Sequence, residues 1–479
     1  MKNPSLFFAV LFCAAAVQAA PQADLIARIH FAGVEKISAD MNSLAFTNEF
    51  CSAEAQALKM QTLDKLSVAL DGWLKQKIGA NVPYGAAKLR PLLDDLQKYP
   101  CFLEARVASN GKPEVALAVK LNDSRAQFWR ANLQPFFPTA TFKQSAGWLV
   151  FNCAGDSLKL GDSLGKKIST ADNVWLDIDL NWSRLAQFSP ALKVFGFSET
   201  HLQVIGRDGN FQMDGKFILS QPLSSPLAQW RMPTNAIRQP LVSFTAARGF
   251  APWLARQNLP YEISPVPDQV FIWALAQNPF QTFAAVPVPN AENALAQLGE
   301  KMSDDTNWQH HFITPFPMAV SSNQISWQCG PFMIMPNVTA LHEPSGDFLF
   351  AGAFPNGPRK KQPLPPELFT RLAQPGLVYY HWEITAERLQ ELPQFSQLVL
   401  MLTKHQQVNV QSAAGKWLDK IEPTLGNTVT EVFQTAPDEL TFNRKSPGGL
   451  NALELLAFVD WLDAPNFPAF DLALPPMRP

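Results

Sequence analysis

Residues 147–188 read GWLVFNCAGDSLKLGDSLGKKISTADNVWLDIDLNWSRLAQF, and residues 346–392 read GDFLFAGAFPNGPRKKQPLPPELFTRLAQPGLVYYHWEITAERLQEL. Each stretch begins with a glycine-led apolar strand, passes through a polar loop, and ends in a second strand that leads into a helix. The same order recurs about 200 residues along the chain, which predicts that one half of the protein repeats the other. The identity between the two stretches is slight, so a chance coincidence of patterning is the alternative.

Outside these two stretches the chain alternates hairpins and helices. Four hairpins each lead into helical spacing, the second of them into SPLAQW at residues 225–230. Two of the four turns are Asn110-Gly111 and Asp208-Gly209, which suit the positive φ angles of a type I′ turn. The pattern predicts an α+β fold of tandem β-α-β-β-α modules. These modules should form largely antiparallel sheets with helices packed on one face, in two pseudo-repeated halves.

The predicted organisation has four parts. They are a signal peptide at residues 1–19, a first half at 20–232, a second half at 238–463, and a Pro-rich tail at 464–479. The first half carries an additional helix, because Ser52 can cap a helix that runs to about Ile78 and Gly79 can end it.

The N-terminus has the three features of a secretory signal. Lys2 is basic, Leu6 to Val17 is apolar, and Val17-Gln18-Ala19 is a small-x-small cleavage pattern. The apolar stretch is shorter than the about 20 residues that span a bilayer, and no later stretch reaches that length. The sequence therefore predicts a soluble protein exported to the periplasm or beyond.

Charge and cysteine content exclude several classes of partner. The chain has 39 basic and 41 acidic residues, so no basic excess is available for nucleic acid. Four cysteines remain after cleavage: Cys51, Cys101, Cys153 and Cys329. They allow three disulfide connectivities or free thiols, and spacing cannot choose among them. No Cys-x-x-Cys pair exists, so we predict no metal and no cofactor.

One nucleophile pattern is present. Residues 161–165 read G-D-S-L-G and match G-x-S-x-G, with Ser163 as the nucleophile. The four letters G-D-S-L resemble the block of serine esterases, which would imply an acyl hydrolase. The strand before it ends several residues too early for a nucleophile elbow, so a polar surface loop is the simpler interpretation.

The better site candidates are polar pairs on the strands that enter helices. Asp177 and Asp179 are two residues apart, as are His381 and Glu383, so each pair shares one face of its strand. Such pairs can perform acid–base work, and their matching positions in the two halves suggest a shared role. A polar face on a half-buried strand is the structural alternative.

These observations favour an exported, non-enzymatic binding or scaffold protein of the cell envelope, with a protein or another envelope component as its partner. A hydrolase that uses the carboxylate and histidine pairs is the first alternative. A carbohydrate-binding module is the second, and it would need an exposed aromatic platform, for which Trp308 and Trp327 are candidates.

Overall fold

The structure is a computed structural model. It describes residues 24–79, 81–108, 111, 113–152, 174–188, 192, 196–223, 226–238, 240–255, 265–276, 281–304, 318–327, 336–352, 366–391 and 412–468. The proposed signal peptide, Ser163, Cys153, Cys329 and Trp308 lie outside these residues.

The protein is a mixed helix and strand structure. Its strands are β1 Leu25–Phe31, β2 Cys101–Val107, β3 Pro113–Lys120, β4 Thr141–Ser145, β5 Trp148–Asn152, β6 Leu176–Asn181, β7 Phe197–Arg207, β8 Asn210–Leu219, β9 Leu241–Arg248, β10 Gln269–Leu275, β11 Thr282–Val288, β12 Met318–Val320, β13 Gln324–Trp327, β14 Asn337–Glu343, β15 Gly346–Gly352, β16 Leu377–Ile384, β17 Asn427–Ala436 and β18 Glu439–Ser446.

Helices connect and flank these strands. They are α1 Val34–Ser38, α2 Leu44–Phe50, α3 Ala53–Ile78, α4 Gly85–Lys98, α5 Asp123–Leu133, α6 Trp182–Phe188, α7 Ala251–Leu254, α8 Ala291–Asp304, α9 Pro366–Leu372, α10 Ala413–Ile421, a 3-10 turn Glu422–Thr424, and α11 Ala452–Asp463. No helix in the described part of the chain is both long and apolar enough to cross a membrane.

The strands form one open sheet in which every pairing is antiparallel, as the sequence predicts for the strand direction. From edge to edge the spatial order is β4-β5-β3-β2-β1-β6-β7-β8-β18-β17-β16-β9-β10-β11-β15-β14-β13-β12. The two halves of the chain meet at β8 and β18, which pair from Phe211↔Ser446 to Ile218↔Glu439. A single sheet therefore runs through both halves.

Most helices cover the same face of this sheet, here called the helix face. Helices α3, α4 and α5 pack there against Leu103, Leu117 and Leu149 of β2, β3 and β5. Helix α8 packs on that face against Leu349 of β15. Helix α9 is an exception, because its Leu368 packs on the other side of the sheet, here called the opposite face.

The additional helix of the first half has the ends that the sequence predicts. The Ser52 side chain accepts a hydrogen bond from the Ala55 amide at 3.1 Å, and α3 ends at Gly79, which has φ of 66°. Glycine reaches this left-handed conformation without a Cβ penalty, so the helix stops there.

The sequence predicts a helix at residues 225–230, and the structure describes residues 226–230 of it. No helix forms over those five residues. Residues 226–230 have no regular secondary structure. Their backbone is instead held by a side chain, because Gln269 accepts from the Arg231 amide at 2.9 Å and donates to the Gln229 carbonyl at 2.6 Å. These two bonds satisfy backbone groups that a helix would otherwise pair internally.

The cysteines that the structure describes are not joined. Cys51 and Cys101 carry free thiols. Burial raises the pKa of Cys101 to about 12, which favours the protonated thiol.

Candidate functional site

Asp177 and Asp179 lie on the opposite face of the sheet, on the central strand β6. Asp179 is directly opposite Arg28 of β1 and His201 of β7. Asp177 is directly opposite His30 of β1 on the same face. The pair therefore belongs to a transverse set of polar side chains in the first half of the sheet.

His381 and Glu383 lie on the helix face and do not join the aspartates. Asp177 is directly opposite Gln203 on the next strand. From there, the residues directly opposite one another on successive strands are Asp214, Asn443, Glu431 and finally Tyr380 of β16. Directly opposite residues share a face, so Tyr380 faces the aspartate side and its neighbour His381 faces away. The expectation that the two pairs occupy matching positions is wrong, because they lie on different faces.

The aspartates are part of an acid–base cluster, which we define as Arg28, Glu104, Asp177, Asp179 and His201. Arg28 Nε donates to Glu104 Oε2 at 3.0 Å, and its Nη1 lies 3.7 Å from Asp179 Oδ2. His201 Nδ1 is 2.6 Å from Asp179 Oδ1 and 3.9 Å from Asp177 Oδ1. The cluster thus alternates positive and negative groups across four strands.

Burial and pairing raise the pKa of two of these groups. Burial raises the pKa of Asp177 to about 6, against the opposing effects of His201 and Gln203. The hydrogen bond with Asp179 raises the pKa of His201 above its usual range. Asp177 therefore changes charge near neutral pH and His201 holds its proton more tightly than a free imidazole, which is a property of catalytic acids and bases and also of pH-sensitive binding sites.

A pocket of about 200 Å³ opens beside this cluster, between β1, β6, β7 and β8. Its ionisable lining consists of Arg28, Asp179, His201, Lys216 and Glu199. Lys216 is already paired with Glu439 across the junction of the two halves. The pocket combines these charges with an apolar lining supplied by Leu25, Leu180 and Ile218.

Glu199 differs from the other ionisable groups in the pocket. Its Oε1 accepts a hydrogen bond from Asn181 Nδ2 at 3.2 Å. No cationic side chain among the described residues lies within ion-pair distance of it. The lining hydroxyl of Thr200 is held by Trp182 Nε1 at 2.7 Å. The pocket therefore contains an uncompensated carboxylate and a hydroxyl that is already engaged.

The His381 and Glu383 pair supports the fold beneath α11. His381 Nδ1 is 2.8 Å from Thr245 Oγ1, and Glu383 Oε1 accepts from the Ala452 amide at 2.7 Å. Burial alone would raise the pKa of Glu383, but the bonds from His381 and Ala452 hold it below its usual range. A carboxylate at the first amides of a helix satisfies donors that have no partner within the helix.

A third polar cluster, at the surface, consists of Glu292, His342 and Asp347. Their ligand atoms lie within 4.8 Å of one another. His342 Nδ1 is 2.9 Å from Asp347, and Nε2 is 2.7 Å from Glu292. Because the two ring nitrogens diverge, one cation cannot replace both contacts, and the arrangement is an ion-paired bridge between α8 and the turn from β14 to β15.

Sequence reasoning missed three members of the acid–base cluster: Arg28, Glu104 and His201. Arg28 and Glu104 interrupt the apolar strands LIARIHF and CFLEARV. A charge inside such a strand is buried only when it is paired, which is the signal that could have suggested a partner. The identity of that partner depends on strand pairing, which the sequence alone does not reveal.

Comparisons with known proteins do not assign this chain to a family. No family model matches it, and no curated protein matches it. A solved structure described as crystal form I of TP0453 is similar at 9% identity over 48% of this chain and 98% of its own, with a TM-score of 0.23. A TM-score this low does not establish a common fold.

Proposed function

We propose that this is an exported, non-enzymatic binding protein, and that the pocket beside the acid–base cluster takes a small polar ligand with a cationic group. The observation that supports this function is Glu199, a half-buried pocket carboxylate with an amide as its hydrogen-bond partner. An ammonium group in the pocket would compensate this charge and gain a charge-assisted hydrogen bond.

The remaining charges of the pocket favour binding over catalysis. Arg28 is committed to Glu104 and Asp179, and Lys216 to Glu439. These pairs fix the walls of the pocket, which reduces the ordering that a ligand must impose. Export remains part of the proposal, and it rests on the sequence of residues 1–19.

We also propose that the sheet arose by duplication. The order β4-β5-β3-β2-β1-β6-β7-β8 in the first half corresponds, strand for strand along the chain, to β14-β15-β11-β10-β9-β16-β17-β18 in the second, with β12 and β13 as an inserted hairpin. Co-expression of residues 20–224 and 225–479 as separate chains tests this, because the segment 226–238 packs in the core of the second half. Two self-contained repeats should associate through β8 and β18. Failure of either half to fold alone would contradict it.

A hydrolase is the second candidate, because His201 contacts Asp179 at 2.6 Å and burial raises the pKa of Asp177 to about 6. Such groups could act as general base and acid. Turnover of ester, amide or glycoside substrates that disappears in Asp177→Asn and Asp179→Asn would support it. For the carbohydrate alternative, Trp253 at 41% exposure is the exposed tryptophan within the described residues, and it forms no cluster with another.

The binding proposal is tested by calorimetry with matched probes. Putrescine and ethanolamine carry an ammonium group, whereas 1,4-butanediol has a similar length without charge. We expect the amines to bind and the diol not to, and we expect Glu199→Gln to weaken amine binding about tenfold or more. Glu300→Gln on the exposed side of α8 is the control. Equal heats for putrescine and butanediol, or unchanged binding in Glu199→Gln, would contradict the proposal.

A further inference from the structure

A second and larger cavity lies in the other half of the chain, on the opposite face of the sheet. Its volume is about 520 Å³, and it lies between the irregular segment 229–234 and α9. Arg248, at the end of β9, forms part of its wall together with Trp230, Met232, Phe369 and Leu372. The cavity therefore combines a single cationic side chain with an apolar and aromatic lining.

Arg248 is buried without a counter-ion. It is 9% exposed, its Nε donates to the Leu377 carbonyl at 2.8 Å, and its Nη1 donates to the Ala228 carbonyl at 2.7 Å. Among the described residues no carboxylate lies within 4.0 Å of it, and Asp268 acts on it only from a greater distance. Neutral carbonyls and the more distant Asp268 compensate the guanidinium charge only in part, and such a buried charge favours an anion as its partner.

The indole of Trp230 lies against the guanidinium in the wall of the same cavity. The Arg248 guanidinium lies 4.5 Å from the centre of the Trp230 ring, and Trp230 packs edge-on against Phe271. Trp230 Nε1 is buried without a hydrogen-bond partner. The indole therefore stabilises the guanidinium through its ring and holds it at the cavity wall, but it does not supply a counter-ion.

The wall that carries Trp230 is held in place before any ligand arrives. Gln269 clamps the backbone at residues 229 and 231. Arg231 donates to the Ser345 carbonyl at 3.1 Å, and the Ser345 hydroxyl donates to the Met232 carbonyl at 2.7 Å. A cavity whose walls are ordered by buried hydrogen bonds binds without the entropic cost of forming it.

The outer wall is apolar and partly exposed. Phe369 of α9 is 43% exposed, whereas Leu372 one turn later is buried at 5%. An apolar ligand segment that covered Phe369 would remove hydrophobic surface from water.

We propose that this cavity binds an amphipathic carboxylate, whose carboxylate pairs with Arg248 and whose hydrocarbon part lies against Met232, Leu372 and Phe369. The site is separate from the pocket beside Glu199, and the two are of opposite charge preference. The proposal that this cavity binds a carboxylate therefore does not depend on the proposal that the Glu199 pocket binds a cation.

Calorimetry of the purified protein with decanoate, decanol, decylamine and hexanoate tests the proposal. Decanoate should bind at least about tenfold more tightly than decanol or decylamine, because they lack the anion that Arg248 requires. Hexanoate should bind more weakly than decanoate, because it buries fewer methylene groups. Decyl phosphate distinguishes a carboxylate site from a general anion site.

Three variants separate the contribution of the Arg248 charge to decanoate binding from that of the apolar surface of Phe369. Arg248→Gln should reduce decanoate affinity about tenfold or more and should remove the preference for decanoate over decanol. Phe369→Ser, at an exposed position that the fold does not need, should reduce the advantage of decanoate over hexanoate. Arg371→Gln is the matched control, because Arg371 lies on α9 at 52% exposure and pairs with Glu431 outside the cavity lining.

The proposal is overturned if decanoate fails to bind, or if decanol binds as tightly as decanoate. It is equally overturned if decyl phosphate binds while decanoate does not. If Arg248→Gln does not fold, Phe369→Ser decides the question: an unchanged ratio of decanoate to hexanoate affinity places the ligand elsewhere and contradicts the site.

Discussion

His30 on β1 lies directly opposite Asp177 on β6, and burial shifts both side chains towards their neutral forms. It lowers the pKa of His30 to about 4, with a smaller contribution from Lys36, and raises the pKa of Asp177 to about 6. The imidazole stacks on Phe102 at 4.2 Å, and its Nδ1 is buried without a hydrogen-bond partner. Near pH 5 the folded protein therefore holds a neutral pair where the unfolded chain holds two charges.

This pair predicts opposite pH dependences for two single variants. In His30→Phe, Asp177 alone remains, and the folded state holds its proton up to about pH 6, so stability should fall as pH rises from about 4 to 6. In Asp177→Asn, His30 alone remains, and the unfolded state binds the extra proton, so stability should fall as pH drops from about 6.5 to 4. In the native protein the two contributions offset each other over that window.

Urea denaturation at several pH values measures these slopes. Phenylalanine keeps the stacking on Phe102, so the loss of the titrating nitrogen is the main change in the first variant. Each slope is taken as the difference between the variant and the native protein, because groups such as Glu49 titrate in both. Differences that change with pH in the same direction for the two variants would contradict the assignment of either pKa shift.

Much of the local structure is predictable because it depends on neighbouring residues. Helix α3 begins after Ser52 and ends at Gly79, as the capping chemistry requires. The turn at Asp208 and Gly209 has φ of 51° and 69°, the positive values that an Asp-Gly hairpin favours. Each of these features is fixed within a few residues, so a single sequence contains the information.

The candidate site could be predicted only in part: the sequence names Asp177 and Asp179, but their partners and the face that each residue occupies depend on strand pairing. Strand β16 pairs regularly from Tyr379 to Ile384, so the irregularity in pairing before Tyr379 does not set the face of His381. Counted back from the last residues of the two strands, Asn181 and Ile384, Asp177 corresponds to Tyr380 and not to His381. An alignment that is wrong by one residue assigns a side chain to the other face, and the slight identity between the two stretches does not fix the alignment that closely.

Glu49 of α2 predicts that the stability of the protein depends on pH above about 4.5. Burial raises the pKa of this carboxyl to about 9, and its Oε2 has no hydrogen-bond partner. The folded state therefore keeps a proton that the unfolded state loses above about pH 4.5, and stability falls as pH rises from there to about 9.

Glu49→Gln should remove this dependence. Relative to the native protein it should gain about 3 kcal/mol between acid and neutral pH, since one pKa unit corresponds to about 1.4 kcal/mol. Denaturant titrations of both proteins at about pH 4, 7 and 9 measure the difference, and Glu300→Gln on the surface of α8 is the control. A difference that does not change with pH would show that Glu49 ionises normally.

Glu104 tests the strength of the acid–base cluster. It is fully buried between Arg28 and Arg106, so Glu104→Gln leaves two guanidinium groups with a weaker partner. We expect a loss of about 3 to 5 kcal/mol of unfolding free energy, as is typical when one side of a buried ion pair is removed. Glu35→Gln is the matched control, because Glu35 pairs with Lys98 at the surface at 3.0 Å and should cost less than about 1 kcal/mol. Equal losses in the two variants would contradict a buried, mutually dependent cluster.

The pKa of His342 is shifted in the opposite direction to that of His30, so its effect on stability depends on pH with the opposite sign. The hydrogen bonds to Asp347 and Glu292 raise the pKa of this exposed imidazole above its usual range. The stability that it contributes is therefore fully present below about pH 6.5 and is lost as pH rises through the raised value. His342→Gln should be less stable than the native protein near pH 6 and should approach it near pH 9. Because the bridge is exposed, about 1 M salt should reduce the difference at pH 6, which thermal or urea unfolding with and without salt can measure. A difference that grows with pH, or that salt leaves unchanged, would mean that the imidazole contributes packing instead of charge.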